Sequence, residues 1–214
     1  MLSCATAPRP ADSLGAATAA EAWTRLQQRR AAFDGARSFV SMRPDGERRF
    51  DAVIEIDAGG RVAIRGFSPI GTTLFRIFVD DGRALLLNDR ERTWWEGSFA
   101  ELTRRTGLFR SAPGIDADAL ARLLFGIPAD AVPFEGEWTT APSGIRYRTA
   151  RTGLIEVAGP DGEARITYLP PVWPPARVRL ETPSSGMTID HQEIVWGVER
   201  IDVPEPDPSW TRER

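Results

Sequence analysis

From residue 36 onward, apolar side chains fall at alternate positions, and turn-forming residues break the pattern at short intervals. This periodicity is the tightest constraint on the fold, because a period of two sends successive side chains to opposite faces of a strand and does not suit a helix. ARSFVSMR alternates and PDGE turns the chain. ERRFDAVIEID then sets Phe50, Ala52, Ile54 and Ile56 on one face and charges on the other. AGG turns the chain again before RVAIRGF, and SPIG, TTLFRIFV, a DDG turn, RALLLN, an NDRE turn and RTWWEG follow. Short strands joined by tight turns predict an antiparallel meander. One apolar and one Arg/Asp/Glu-rich face is what a sheet covered on one side requires.

Helical spacing appears in three places. Residues 18–34 open with Thr18 and Glu21 at capping-box spacing, repeat Ala19, Trp23, Leu26, Arg30 and Phe33, and meet Gly35 where a C-terminal glycine belongs. SFAELTRRTG at 98–107 starts at a serine cap and ends at a glycine. IDADALARLLFG at 115–126 has Asp116 as its cap and Leu120, Leu123 and Leu124 as its apolar stripe. Strands resume at about 136–141, 144–149, 153–158, 163–170, 176–182 and 187–199. A helix, several strands, two helices and several strands make an α+β order with antiparallel pairing. A sheet of about 11 strands is too wide to stay flat, so it is expected to curl around the central helices. Residues 1–15 read as a tether, 16–203 as one domain, and 204–214 as a Pro-rich tail that frays. No internal repeat appears.

Composition narrows the function classes. The formal charge is -3, with both signs interleaved, which argues against nucleic acid as a partner. All 27 basic residues are arginine, which fits GC-rich codon usage. No apolar run reaches the length of a membrane-spanning helix. Only Met1-Leu2-Ser3 precedes the single cysteine, Cys4, so no complete signal peptide stands there. The chain carries one histidine, His191, and no HExxH motif or Cys/His cluster, so no metal or other cofactor is expected. His191 sits in an alternating stretch, TIDHQEIVW, and reads as a sheet-face residue. GFSPIG is similar to a nucleophile elbow but lacks the G-x-S-x-G spacing, and Pro69 removes the N–H that an oxyanion hole would use. Asp116 and Asp118 read as helix-start residues. No feature asks for catalysis.

Two features ask for binding. The apolar face carries Phe50, Ile54, Ile64, Leu74, Ile77, Val79, Leu85, Trp95, Ile166, Val178, Leu180 and Ile189, with Leu120 and Leu124 of the third helix set against it. It forms either an apolar cavity, the usual kind of ligand site, or a packed core. The second feature is Ser68-Pro69-Ile70-Gly71. Pro69 stiffens the bend and Gly71 permits the return, so Ile70 stands at the tip of a turn. There it either enters a membrane or a partner's groove, or folds back onto the sheet's rim.

Three stretches taken in order, SPIGTTLFRIFVDDGRALLLNDRERTWWEGSFAELTRRTG, DADALARLLFGIPADAVPF and PARVRLETPSSGMTIDHQEIVW, resemble the LolB family of outer-membrane lipoproteins, which accept lipoproteins from the periplasmic carrier LolA. The resemblance runs from the first helix to the last strand. Its most specific pieces are the S-P-I-G turn, the L-L-F-G-I-P-A-D-A segment and the final hairpin. It implies a half-open, strongly curved antiparallel β-barrel with helices as a lid over a cavity for acyl chains. It also implies that Ile70, where the family has leucine, protrudes with Pro69 and Gly71 and helps move cargo into a membrane. Ser3-Cys4 then reads as the end of a lipobox, with Cys4 lipidated. Two or more acyl chains anchor stably where one does not. Ala5, in place of an aspartate, implies the outer membrane and its periplasmic face. The expected partners are acyl chains and a LolA-like carrier, with the domain itself a monomer. A structural lipoprotein that docks an export partner through the same fold, and a lipid hydrolase, are the competing readings.

Overall fold

The computed structural model describes residues 14–110, 112 and 114–213, so Cys4 and nearly all of the expected tether lie outside the described residues. The three helices start at the caps that the sequence offers. In α1 (Ala19–Ala31), the Thr18 side chain accepts from the Glu21 backbone. In α2 (Phe99–Thr106), Ser98 and Glu101 complete a capping box, and Gly107 closes the helix in the left-handed region. In α3 (Ala117–Leu124), Asp116 accepts from the Ala119 N–H at 2.8 Å.

The meander before α2 comprises β1 (Gly35–Pro44), β2 (Phe50–Asp57), β3 (Val62–Phe67), β4 (Thr73–Asp80), β5 (Arg83–Asn88) and β6 (Thr93–Ser98). After α3 come β7 (Thr139–Thr140), β8 (Arg146–Ala150), β9 (Gly153–Ala158), β10 (Arg165–Tyr168), β11 (Arg177–Thr182), β12 (Ser185–Trp196) and β13 (Thr211–Arg212). All join one open sheet in the order β13-β6-β5-β4-β3-β2-β1-β12-β11-β10-β9-β8-β7. The two meanders meet where β1 pairs with β12, across a bulge at Phe39/Val40. Every pairing is antiparallel except β13 beside β6.

The sheet curves around its helices. One apolar cluster joins residues of β1–β6, of β8–β12 and of all three helices, which a flat sheet of this width could not bring together. On this inner face α1 packs against β8 and β9, α2 against β5 and β6, and α3 against β2 and β3. The outer face carries cross-strand ion pairs, among them Arg65–Glu55 at 2.8 Å and the two-pronged Arg76–Asp89 contact. These pairs are partly exposed and contribute modestly.

Four expectations change. Thirteen strands stand among the described residues: the expected strand at 136–141 shrinks to the two residues of β7, and β13, another pairing of two residues, leaves no periodic trace. Gly35 opens β1 instead of capping α1. Its φ is +108°, and a Cβ there would meet the carbonyl oxygens of Ile56 and Val198 at 2.9 Å. The C-terminal tail does not fray. Ile201 is buried and its N–H reaches the Asp57 carboxylate at 3.0 Å. Thr211 and Arg212 then pair with Thr93 and Trp94, and Glu213 bonds Thr93 and Arg105. The tail is thus a strap across the outer face of β3–β6.

The fourth change concerns Leu85. It pairs with Phe78 and joins a second apolar cluster, under the strap, with Ala63, Leu87 and Ile201. Ile64, Ile77 and Leu86 occupy the inner row instead. RALLLN offers three consecutive leucines, and a one-residue shift of pattern exchanges the faces. Leu74 stands in alternation with Arg76 and Phe78, and belongs to neither cluster.

Candidate functional site: the sheet interior and the Ile70 turn

The inner face gathers most of the expected cavity residues. Ile54, Ile64, Ile77, Trp95, Leu120, Leu124, Ile166, Val178 and Leu180 are buried in the main cluster, and Phe50 packs against it. The space between sheet and helix is nearly full. Ile54, Val62, Ile64 and Val79 face Leu120, Ala121 and Leu124 with Phe99 and Phe109 beside them, and a void of only about 10 Å³ remains. An apolar wall with no polar group can hold only apolar matter, and in this arrangement α3 supplies it. The connection from α2 to α3 runs through Gly107 and Gly114, both at positive φ. Backbone of that kind can be re-aimed at low steric cost.

The L-L-F-G-I-P-A-D-A segment is a hub of hydrogen bonds. Trp23 of α1 donates its indole N–H to the Val132 carbonyl at 2.8 Å and rests against the Tyr147 ring. Gln27 and Arg30 donate to the carbonyls of Asp130 and Ala129. Asp130 accepts from the hydroxyls of Tyr147 and Ser143, at 2.8 and 2.9 Å. Burial, together with the Asp130 carboxylate, pushes the Tyr147 pKa far above its ordinary value, so the phenol stays a donor. This segment fixes α1 to the second meander. Its residues hold structure and point at no substrate.

Ser38 and His191 make an inner polar contact that resembles a catalytic pair, at 2.8 Å between Oγ and Nδ1. The proton arrangement runs the wrong way for catalysis. Ser38 donates to the Glu193 carbonyl at 2.7 Å, so His191 must donate through Nδ1–H, and its basic Nε2 faces away from the serine. Nε2 is buried beside Phe125 without a hydrogen-bond partner. Burial drops the imidazole pKa from 6.5 to about 4, although the Leu124 carbonyl and Asp190 favour the charged ring.

A depressed base binds fewer protons folded than unfolded between those two values. Its contribution to stability is therefore whole above about pH 6.5 and is lost as pH falls toward 4. We expect denaturant unfolding to report a loss on the order of 2–3 kcal/mol over that window. His191→Phe should flatten the profile there, and an unchanged slope in that variant would assign the effect to other groups.

The Ile70 turn lies at one end of the sheet, beside the turns joining β1 to β2 and β5 to β6. It is locked from within. The Ser68 N–H donates to the Thr72 carbonyl and the Gly71 N–H to the Ser68 carbonyl, both at 2.9 Å, and the two hydroxyls meet at 2.6 Å. Ser68 is therefore a turn residue, and Gly71 takes φ +82° with open space around it. Ile70 stays 86 % exposed, so it does not fold back onto the rim. Asp116 is the α3 cap, and Asp118 pairs with Arg122 at 2.9 Å; the two serve the helix. Among the described residues, no helix is long and apolar enough to cross a membrane.

No family model matches the chain, and no curated protein matches it. Among solved structures it is similar to a LolA superfamily protein from Nitrosomonas europaea, at 12% identity and a TM-score of 0.44, over 88% of this chain and 96% of that one. It is similar also to LprF from Mycobacterium bovis, at 14% identity and a TM-score of 0.36, over 87% and 97% of the two chains. The lipoprotein LppX of Mycobacterium tuberculosis shares 12% identity and a TM-score of 0.32, over 85% and 96%.

Proposed function

We propose that this chain is a lipid-anchored, non-catalytic acyl-chain-binding protein that accepts lipidated cargo from a periplasmic carrier and passes it to the outer membrane. The observation that carries this reading is Ile70. Its aliphatic side chain is 86 % exposed on an internally locked turn, so it adds little packing to the fold and stands free to enter an apolar phase. The ordered resemblance to the LolB family supports the same reading. Lipidation at Cys4 would hold the domain, as a monomer, on the periplasmic face of that membrane, with Ile70 as a second and reversible contact.

Cargo binding then takes place on the inner face. An acyl chain gains about 0.8 kcal/mol for each CH₂ sheltered, which offsets the displacement of α3. The glycines on either side of the α2–α3 connection are where that movement occurs. The test is titration of the protein with a fluorescent diacylated lipopeptide. Saturable binding with loss of amide protection in α3 is the expected result, and absence of saturable binding rejects the reading.

A second reading has one observation in its favour. The closely filled contact of α3 with β2 and β3, with its void of about 10 Å³, suits a structural lipoprotein that docks a partner in envelope or polysaccharide export and carries no cargo. In that case Ile70 meets a protein groove, and lipopeptide leaves α3 protection unchanged.

A further inference from the structure

The outer face of a sheet covered on one side is ordinarily polar, and across β1–β3 this one carries Arg37, Glu55 and Arg65 in a row, beside the Phe39–Phe67 ring contact. Beneath the C-terminal strap the rule breaks. Phe78 and Leu85, directly paired across β4 and β5, form an apolar floor with Trp94 of β6. Phe78 and Leu85 keep only 9 % and 8 % exposure there, and the strap stands off beside them. Ile201 is buried at its start, but Val203, Pro204 and Pro206 arch away and leave an open groove of about 520 Å³. Val203 remains 41 % exposed above it. The volume lies within the roughly 300–1,000 Å³ of ordinary ligand clefts, whereas a strap acting only as a cover would close down on its floor.

The rim is mostly acidic, although the Arg212 guanidinium lies 4.9 Å from the centre of the Trp94 ring. Asp80, Asp81, Glu96 and Glu205 surround the groove, with Arg83 as the one cation among its lining residues. Arg83 is held by Glu96, and Asp80 is held by Arg61. Asp81, at the tip of the β4–β5 turn, and Glu205, on the strap, line the opening and are exposed. We propose that this groove docks a short extended segment of a partner protein, in which apolar side chains reach Phe78, Leu85 and Trp94 and an adjacent arginine or lysine meets Asp81 and Glu205. The site is on the opposite face of the sheet from the acyl-chain interior and is independent of it. A peptide fits better than a free lipid, because an acidic rim repels the phosphate of common membrane lipids, while it complements a basic side chain.

The full chain should be titrated with a fluorescein-labelled hexapeptide amide of leucine and arginine, with its leucine–glutamate counterpart, and with dodecyltrimethylammonium as a non-peptide cation bearing an apolar tail. The expected result is a saturable anisotropy rise for the basic peptide alone, weakening as salt is raised. Asp81→Asn combined with Glu205→Gln should weaken it by about tenfold or more, since two exposed charge contacts are lost. Val203→Arg should weaken it similarly, and Ile70→Glu should leave it unchanged. These positions are exposed, so folding is retained. Equal binding of both peptides, or binding that survives the double variant, overturns the proposal. Binding of the dodecyl cation in preference to the peptide also overturns it and makes the groove a small-amphiphile site.

Discussion

Ile70→Glu should abolish delivery of lipidated cargo to membranes while leaving the melting temperature unchanged. The side chain contacts little within the protein and belongs to neither apolar cluster, so its replacement removes no packing. The turn keeps its Ser68–Thr72 and Gly71–Ser68 contacts, which do not involve residue 70's side chain. What changes is the cost of placing that tip in an apolar phase. A carboxylate there loses its hydration, and even a few kcal/mol shifts an equilibrium by more than about a hundredfold. The measurement pairs a thermal melt with transfer of a fluorescent lipoprotein into liposomes. Unchanged transfer rejects the tip role, and a lowered melting temperature would mean that Ile70 serves the fold. Ile70→Leu should behave as the parent, because only apolar character is required.

The second large effect concerns α3. Leu124→Ala should lower stability by about 2–5 kcal/mol, the usual range for a buried leucine truncated in a packed core. Leu124 is almost fully buried and lines the small void with Leu120, Ile54 and Ile64. The two functional readings then diverge. If α3 competes with acyl chains for the inner face, loosening it raises the fraction of protein competent to bind, and apparent affinity for a diacylated lipopeptide rises by about tenfold or more. If α3 is a permanent plug, the variant is less stable and binds no better. Urea unfolding and lipopeptide titration on the same preparation decide between them. Trp95 on the sheet side offers a fluorescence reporter, since it lies in the same cluster.

How much of this was legible beforehand differs from one element to the next. The caps at Thr18, Ser98 and Asp116 could be read because they act within one turn, through bonds of three residues' span. The turns at 45–49, 68–72 and 89–92 were legible for the same reason. Three consecutive leucines satisfy either face, so alternation alone does not place Leu85. Only pairing with Phe78, and the arrival of Ile201 from more than a hundred residues away, placed it outside. The strap itself was invisible. PEPDPSWTRER lacks periodicity, and residues 211–213 are placed by Thr93, Trp94 and Arg105, groups that the chain brings near only after folding.

Local alternation, the caps, the tight turns and the apolar tip at Ile70 follow from the order of residues, because each rests on neighbours in the chain or on a single side chain's character. Contacts distant in sequence set how closely α3 meets β2 and β3, where a void of about 10 Å³ is left, how deeply the ring nitrogen of His191 is buried, and that a groove opens beneath the strap. Those outcomes depend on the curvature of the sheet and on the fit of side chains distant in sequence. Packing is a sum over such contacts, and no short stretch of residues contains it.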